Sequence, residues 1–161
     1  MENKGQITSM DIYAHKLHEL KRRARRAGAQ NITTKLITST KTIKKLKGRA
    51  DRVLIDAPCT GLGVLRRNPD AKWKIQPEFL EKIIQTQQEI LNSYASMVKV
   101  GGYLIYATCS ILKQENQDQI QQFLNSDTGQ NFQLDKEVIV SPAASGFDGF
   151  YMARLIRKVV C

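Results

Sequence analysis

Two short apolar runs, each cut off by a cysteine-bearing turn, limit what this chain can fold into. Val53-Leu54-Ile55 leads into Asp56-Ala57-Pro58-Cys59-Thr60-Gly61, and Leu104-Ile105-Tyr106-Ala107, introduced by Gly101-Gly102, ends in Thr108-Cys109-Ser110. Runs of this kind, closed by proline or glycine or a polar turn, read as buried strands. The two cysteines stand 50 residues apart, room for one strand-loop-helix-strand unit. By the right-handed crossover rule the strands are expected to be parallel partners or near neighbours. Both thiols, with Asp56, fall on the sheet edge where such proteins bind ligands.

The rest of the chain fits an alternating α/β layout. Gln6 to Met10 predicts a strand ending in Asp11, and Leu17, Leu20, Ala24 and Ala27 recur at helical spacing until Gly28 stops the helix. That helix carries Lys16, Lys21, Arg22, Arg23, Arg25 and Arg26 on its other faces, which read equally as a solvated surface or as phosphate contacts. Asp11 either accepts from a ribose hydroxyl, as an acid at a strand end does in Rossmann-like sheets, or caps the next helix. Asn31 to Ile37 predicts a third strand-like segment, and Thr38 to Gly48 a lysine-rich connection. Glu78 to about Val100 predicts a long helix entered at Pro77, and Gln114 to Phe123 a shorter one. Phe132 to Val140 and Gly149 to Ile156 close the chain as two strands, giving a sheet with an antiparallel edge.

Between Gly61 and Pro77 lies a basic stretch too long to be a mere connection, and therefore a candidate functional loop. Arg66, Arg67, Lys72 and Lys74 flank Trp73, the only tryptophan. Cations beside an aromatic ring suit the backbone and bases of a nucleic acid, while the ring itself has the alternative of packing on the domain. The formal net charge of +10 points the same way, to a polyanionic partner, nucleic acid before membrane.

At 161 residues and 42% hydrophobic composition, one domain with a real core is the expected size. No apolar run approaches the ~20 residues that span a bilayer, and the first residues do not read as a signal peptide, so a cytoplasmic protein is expected. The three cysteines, Cys59, Cys109 and Cys161, form no C-x-x-C pair, so no metal site is expected and the thiols should be free. Any one of them alone reads first as a small buried hydrophobe.

As a pair they suggest chemistry. A thiolate can attack C6 of a pyrimidine, turning C5 into a nucleophilic carbon able to take a methyl group, after which a base removes the C5 proton and the thiolate leaves. A carboxylate such as Asp56 against the N3 and amino edge of cytosine would stabilise the charge that develops. Two other readings fail on spacing. A cysteine-phosphatase loop needs arginine six positions after the cysteine, where this chain has Leu65, and no G-x-G-x-x-G follows a strand.

The segments DAPCTGLG and YATCS, in that order, resemble the paired cysteine motifs of the Nop/Sun (Fmu) family of S-adenosylmethionine-dependent RNA cytosine-5 methyltransferases. The likeness extends to MDIYAHKLHELKRRARRAG, RRNPDAKW, TQQEIL and GFDGFYMARL. It is nearest to bacterial enzymes acting on small-subunit ribosomal RNA. The resemblance implies a Rossmann-like methyltransferase fold, mostly parallel with an antiparallel edge. It implies that Cys109 is the nucleophile, that Cys59 assists product release, that Asp56 contacts the target base and the cofactor region, and that Asp11 holds the cofactor ribose. S-adenosylmethionine is the implied cofactor and RNA, ribosomal in the narrower assignment, the implied partner.

Relative to family members the chain lacks a first strand and glycine-rich loop, so 1–161 is expected to be a partial catalytic domain. Thr38, Ser39 and Thr40 stand where the family carries an acid near the adenine, and Thr60 replaces a more usual serine. Two consequences are expected: the strand ending at Asp11 pairs directly with the Arg52 to Asp56 strand, or another chain binds the exposed sheet edge. An alternative to the enzyme is a catalytically inactive RNA-binding fragment.

Overall fold

The computed structural model describes residues 1–159, and Cys161 lies outside them. The chain divides into two compact units, Met1–Lys45 and a second that begins at Leu46.

The first unit is a parallel βαβ hand. Strand β1 (Ile7–Asp11) pairs with β2 (Ile32–Leu36), Ile7 opposite Ile32 and Asp11 opposite Leu36, through helix α1 (Ala14–Arg26). Leu17 is the buried residue of α1, and Arg23, Arg25 and Arg26 occupy its last turn, where they complement the helix dipole. Gly28 follows at φ +65°, a left-handed conformation that costs glycine little and ends the helix. The lysine-rich connection contains the short helix α2 (Thr40–Lys44), pinned by the buried Ile43.

The second unit is a four-stranded sheet in the order β3-β4-β6-β5. Strand β3 (Ala50–Asp56) runs parallel to β4 (Val98–Thr108), β6 (Phe150–Arg157) is antiparallel to β4, and β5 (Phe132–Val140) is antiparallel to β6. Between β3 and β4 come the one-turn helix α3 (Ala71–Lys74) and the long helix α4 (Pro77–Ala95). Helix α5 (Gln117–Leu124) and the short α6 (Pro142–Ser145) complete the unit.

Alternation along the strands makes the core. Leu104 and Tyr106 of β4 and Tyr151, Ala153 and Leu155 of β6 are fully buried, as the two-residue period requires of one sheet face. Helix α4 packs on β3 and β4 and presents Gln87, Leu91 and Ala95 as its buried stripe, a four-residue spacing that lines up on one face. Phe123 of α5 lies against Phe132, ring centroids 5.6 Å apart.

Two expectations about elements change. Helix α4 ends at Ala95, not near Val100, because β4 starts at Val98 and absorbs Gly101-Gly102 within itself. The β3–β4 register jumps from Ala50↔Val98 to Arg52↔Tyr103 across that dipeptide. A bulge forms there: Gly101 sits at φ +75°, and a Cβ on Gly102 would lie 2.8 Å from the Asp51 carbonyl oxygen. The direct pairing of the Asp11 strand with the Asp56 strand is not formed. β1 bonds only to β2, and β3 only to β4, among the described residues. Each keeps the parallel partner to which its own crossover helix leads. No helix of the described residues is long and apolar enough to cross a membrane.

Candidate active site

The register of β3 on β4 brings the two cysteine turns together. Asp56 lies opposite Ala107, and the Ala57 N–H extends the ladder one step by donating to the Ala107 carbonyl at 2.9 Å. Pro58 has no N–H to continue it, so the chain leaves the sheet there. Cys59 and Cys109 meet beyond the strand ends with their sulfurs 3.5 Å apart, both half-buried.

Proximity decides which thiol ionises. Cys109 is lowered from 9.0 to about 7, chiefly because the Cys59 S–H donates to its sulfur; burial and the negative charges of Asp56 and Glu115 work against this. Cys59 is pushed strongly upward, first by the same hydrogen bond with Cys109 and then by burial. A second thiolate beside the first would meet both like charge and desolvation. The pair therefore holds one ready thiolate, on Cys109, and one retained proton, on Cys59.

A buried carboxylate organises the two turns. Glu115, in the 3-10 turn Lys113–Glu115, is fully buried. Its Oε1 accepts from the Thr60 N–H at 2.8 Å and from Gln87 Nε2 at 3.1 Å. Its Oε2 accepts from Thr60 Oγ1 at 2.6 Å and from Ser110 Oγ. Gln87 also donates to the Pro58 carbonyl at 2.8 Å, and the Tyr106 hydroxyl to the Glu115 carbonyl at 2.8 Å. Thr108 Oγ1 donates to Asn116 Oδ1 at 2.5 Å, whose Nδ2 in turn donates to the Ser110 carbonyl at 2.9 Å. A buried charge is tolerable only with such saturation by donors.

Sequence reasoning missed Glu115 and Gln87. A polar residue in the middle of an amphipathic helix, like Gln87, or in the turn before one, like Glu115, reads as solvent-facing, and only the fold turns these two inward. TQQEIL and the residues after TCS held the signal, without any periodic mark to single out Gln87 or Glu115.

The basic loop is attached to this centre. The Gly63 N–H donates to the Cys109 carbonyl at 2.9 Å, and the Gly149 N–H to the Gly63 carbonyl at 2.7 Å. A Cβ on Gly63 would lie 2.2 Å from the Gly149 carbonyl oxygen and 2.7 Å from that of Cys109, so backbones touch here. Arg66 donates to the Gly146 carbonyl, and Arg67 pairs with Asp148 at 2.6 Å. Lys72 lies over the Trp73 ring, 4.9 Å from its centroid. Trp73 is 76% exposed, so the alternative in which the ring packs on the domain is not what the chain adopts.

The carboxylates expected at a cofactor divide by environment. Asp56 is exposed at the end of β3, and its side chain has no hydrogen bond or ion pair among the described residues. Asp11 accepts from the Tyr13 N–H at 2.8 Å through Oδ1, while Oδ2 lies 3.9 Å from Lys16. It thus shapes the entry to α1, although Tyr13 is the capping residue. Each of these two acids stands at the carboxyl end of its own parallel strand with acceptor capacity to spare.

The parallel strand pairs with their crossover helices and the antiparallel edge of the larger sheet belong to a Rossmann-like methyltransferase fold. Residues 1–156 match the family model described as 16S rRNA methyltransferase RsmB/F. The chain belongs to that family, whose members use S-adenosylmethionine. It is 32% identical, over 98% of its length, to the Bacillus subtilis protein named "Probable ribosomal RNA small subunit methyltransferase B". It is 43% identical over 67% of its length to ribosomal RNA small subunit methyltransferase B of Salmonella paratyphi B. Among solved structures, NSun6 from Pyrococcus horikoshii with SFG matches 99% of the chain at a TM-score of 0.85 and 25% identity. The chain covers 43% of that protein, and it spans 39% of the Bacillus relative and 26% of the Salmonella one.

Proposed function

We propose that this chain carries the catalytic thiols of an RNA cytosine-5 methyltransferase acting on ribosomal RNA. The observation that carries the reading is the thiol pair, two sulfurs 3.5 Å apart beyond the ends of two paired parallel strands, a contact that lowers the Cys109 thiol.

In this reading the Cys109 thiolate attacks C6 of a cytosine, forming a C–S bond and making C5 nucleophilic. Asp56, exposed beside it, accepts a hydrogen bond from the exocyclic amino group of the cytosine and orients the base for attack. S-adenosylmethionine, when bound, supplies an electrophilic methyl group, and Asp11 and Asp56 are the residues that would hold it. Cys59 acts last. Once Cys109 is bonded to carbon it is an uncharged thioether, so the first cause of the raised Cys59 value disappears. Cys59 can then lose its proton to solvent and, as a thiolate, take the one on C5; the C5–C6 double bond re-forms as the C–S bond breaks and the Cys109 thiolate returns. Arg66, Arg67 and Lys72 contact the RNA backbone, with Trp73 beside them as a stacking surface.

The test is a trapping experiment with the whole chain, S-adenosylmethionine and an RNA bearing 5-fluorocytidine, whose C5 fluorine cannot leave as the proton does. A denaturation-resistant adduct mapped to Cys109 and absent from Cys109→Ala is expected. An adduct at Cys59, or methyl groups on any atom other than C5 of ordinary RNA, refutes the assignment. RNA binding without methyl transfer favours the inactive RNA-binding fragment.

A further inference from the structure

We infer that Glu115 is a positioning residue for the thiol pair, a single buried carboxylate that sets the distance between Cys59 and Cys109 by gripping the residue after each. Neither cysteine hydrogen-bonds to it; their neighbours do. Thr60, next to Cys59, donates both its N–H (2.8 Å) and its hydroxyl (2.6 Å), and Ser110, next to Cys109, donates its hydroxyl. The Thr60 and Ser110 hydroxyl oxygens are themselves 3.4 Å apart. Gln87 from α4 closes the arrangement by bonding both Glu115 and the Pro58 carbonyl. Two turns that are 50 residues apart in sequence are thus fastened to one side chain.

The inference rests on reading Cys109 as the nucleophile, since its consequence is which sulfur ionises. A hydrogen bond between sulfurs weakens quickly as they separate, so releasing either turn removes the main cause of the low Cys109 value. The charged and titratable groups facing Cys109 are Cys59 and Asp56 from the end of β3 and Glu115 from the 3-10 turn. Tyr106, from β4 itself, feels both Glu115 and Cys59 and is held protonated chiefly by burial. The Glu115 charge by itself opposes ionisation of Cys109. Positioning and charge therefore have opposite signs, which makes them separable.

The experiment follows iodoacetamide modification of Cys109 against pH, resolved by peptide mass spectrometry, in the whole chain without RNA or methyl donor. Glutamine at 115 keeps the length and can still accept from the Thr60 N–H while bonding the hydroxyls; alanine cannot. Glu115→Ala is expected to raise the Cys109 midpoint from about 7 toward 9.0, with Glu115→Gln remaining at the native value or just below. If both variants lower the midpoint, Glu115 acts through its charge and the inference is overturned. An unmoved midpoint in folded Glu115→Ala overturns it equally. Should Glu115→Ala fail to fold, Ser110→Ala cuts one side of the grip and Thr60→Val weakens the other, leaving its N–H bond in place; each must raise the midpoint for the inference to stand, Ser110→Ala the more. Because no RNA is present, failure here leaves the methyl-transfer reading intact, whereas a trapped adduct at Cys59 would overturn the nucleophile assignment whatever the midpoints show, so the two failures are distinguishable.

Discussion

Replacing Cys59 by alanine removes the S–H group on which the Cys109 thiolate depends. In the native pair the sulfurs are 3.5 Å apart and Cys109 lies at about 7 instead of 9.0. Without the donor, burial and the charges of Asp56 and Glu115 still oppose ionisation, so the midpoint rises at least to the ordinary 9.0. For a midpoint of 9.0 the thiolate share at pH 7 falls from about one half to about 1%, roughly 50-fold. The reaction rate falls less, because a more basic thiolate is the better nucleophile. A Brønsted slope of about 0.4–0.5 over two pH units returns about 6- to 10-fold. The net expectation for Cys59→Ala is modification of Cys109 by iodoacetamide about 5- to 8-fold slower at pH 7, and about 6- to 10-fold faster near pH 10, where Cys109 is ionised in both the native chain and the variant. Peptide-resolved mass spectrometry at a series of pH values reads Cys109 alone. The reversal of sign between the two ends is the diagnostic. A variant that is faster or slower by the same factor throughout would show that alanine changes access to Cys109 and not its ionisation, and would refute the reasoning.

Two further predictions concern the loop docked on the Cys109 turn. Gly63→Ala places a methyl group 2.2 Å from the Gly149 carbonyl oxygen, and backbone on both sides has nowhere to go. We expect the hydrogen bonds Gly63 makes with Cys109 and Gly149 to break, at ~2–4 kcal/mol in urea denaturation; a native midpoint in urea would show that the contact is not tight. Trp73, the sole tryptophan, reports its own environment. Its emission should be quenched by single-stranded RNA, and Trp73→Ala should lose ~1–3 kcal/mol of affinity, more than any single lysine change in this loop at physiological salt. RNA binding that leaves the emission unchanged would exclude the ring from the interface.

Local patterns were legible from the sequence to different degrees. The strand runs before Asp56 and Thr108, the helical spacing of Leu17 and Leu20, and Pro77 at the head of α4 each depend on neighbours within a few positions, so one-dimensional periodicity suffices. The end of α4 was not legible. Met97 continues the helical spacing, yet sheet pairing claims Val98 onward because β3 offers partners that a helix cannot use. Nor was the exposure of Trp73, since an aromatic ring carries the same pattern whether it packs or faces solvent.

For this protein the sequence by itself determined the elements, the placement of Asp56, Cys59 and Cys109 at strand ends, and the family to which DAPCTGLG and YATCS point. The tertiary structure alone decided the sulfur separation, the order in which the two thiols ionise, and the convergence of Thr60, Ser110 and Gln87 on Glu115. The reason is physical. Strand and helix propensity are properties of adjacent residues, whereas an ionisation equilibrium depends on distance and burial among groups 50 residues apart, and those are set by the register of β3 on β4.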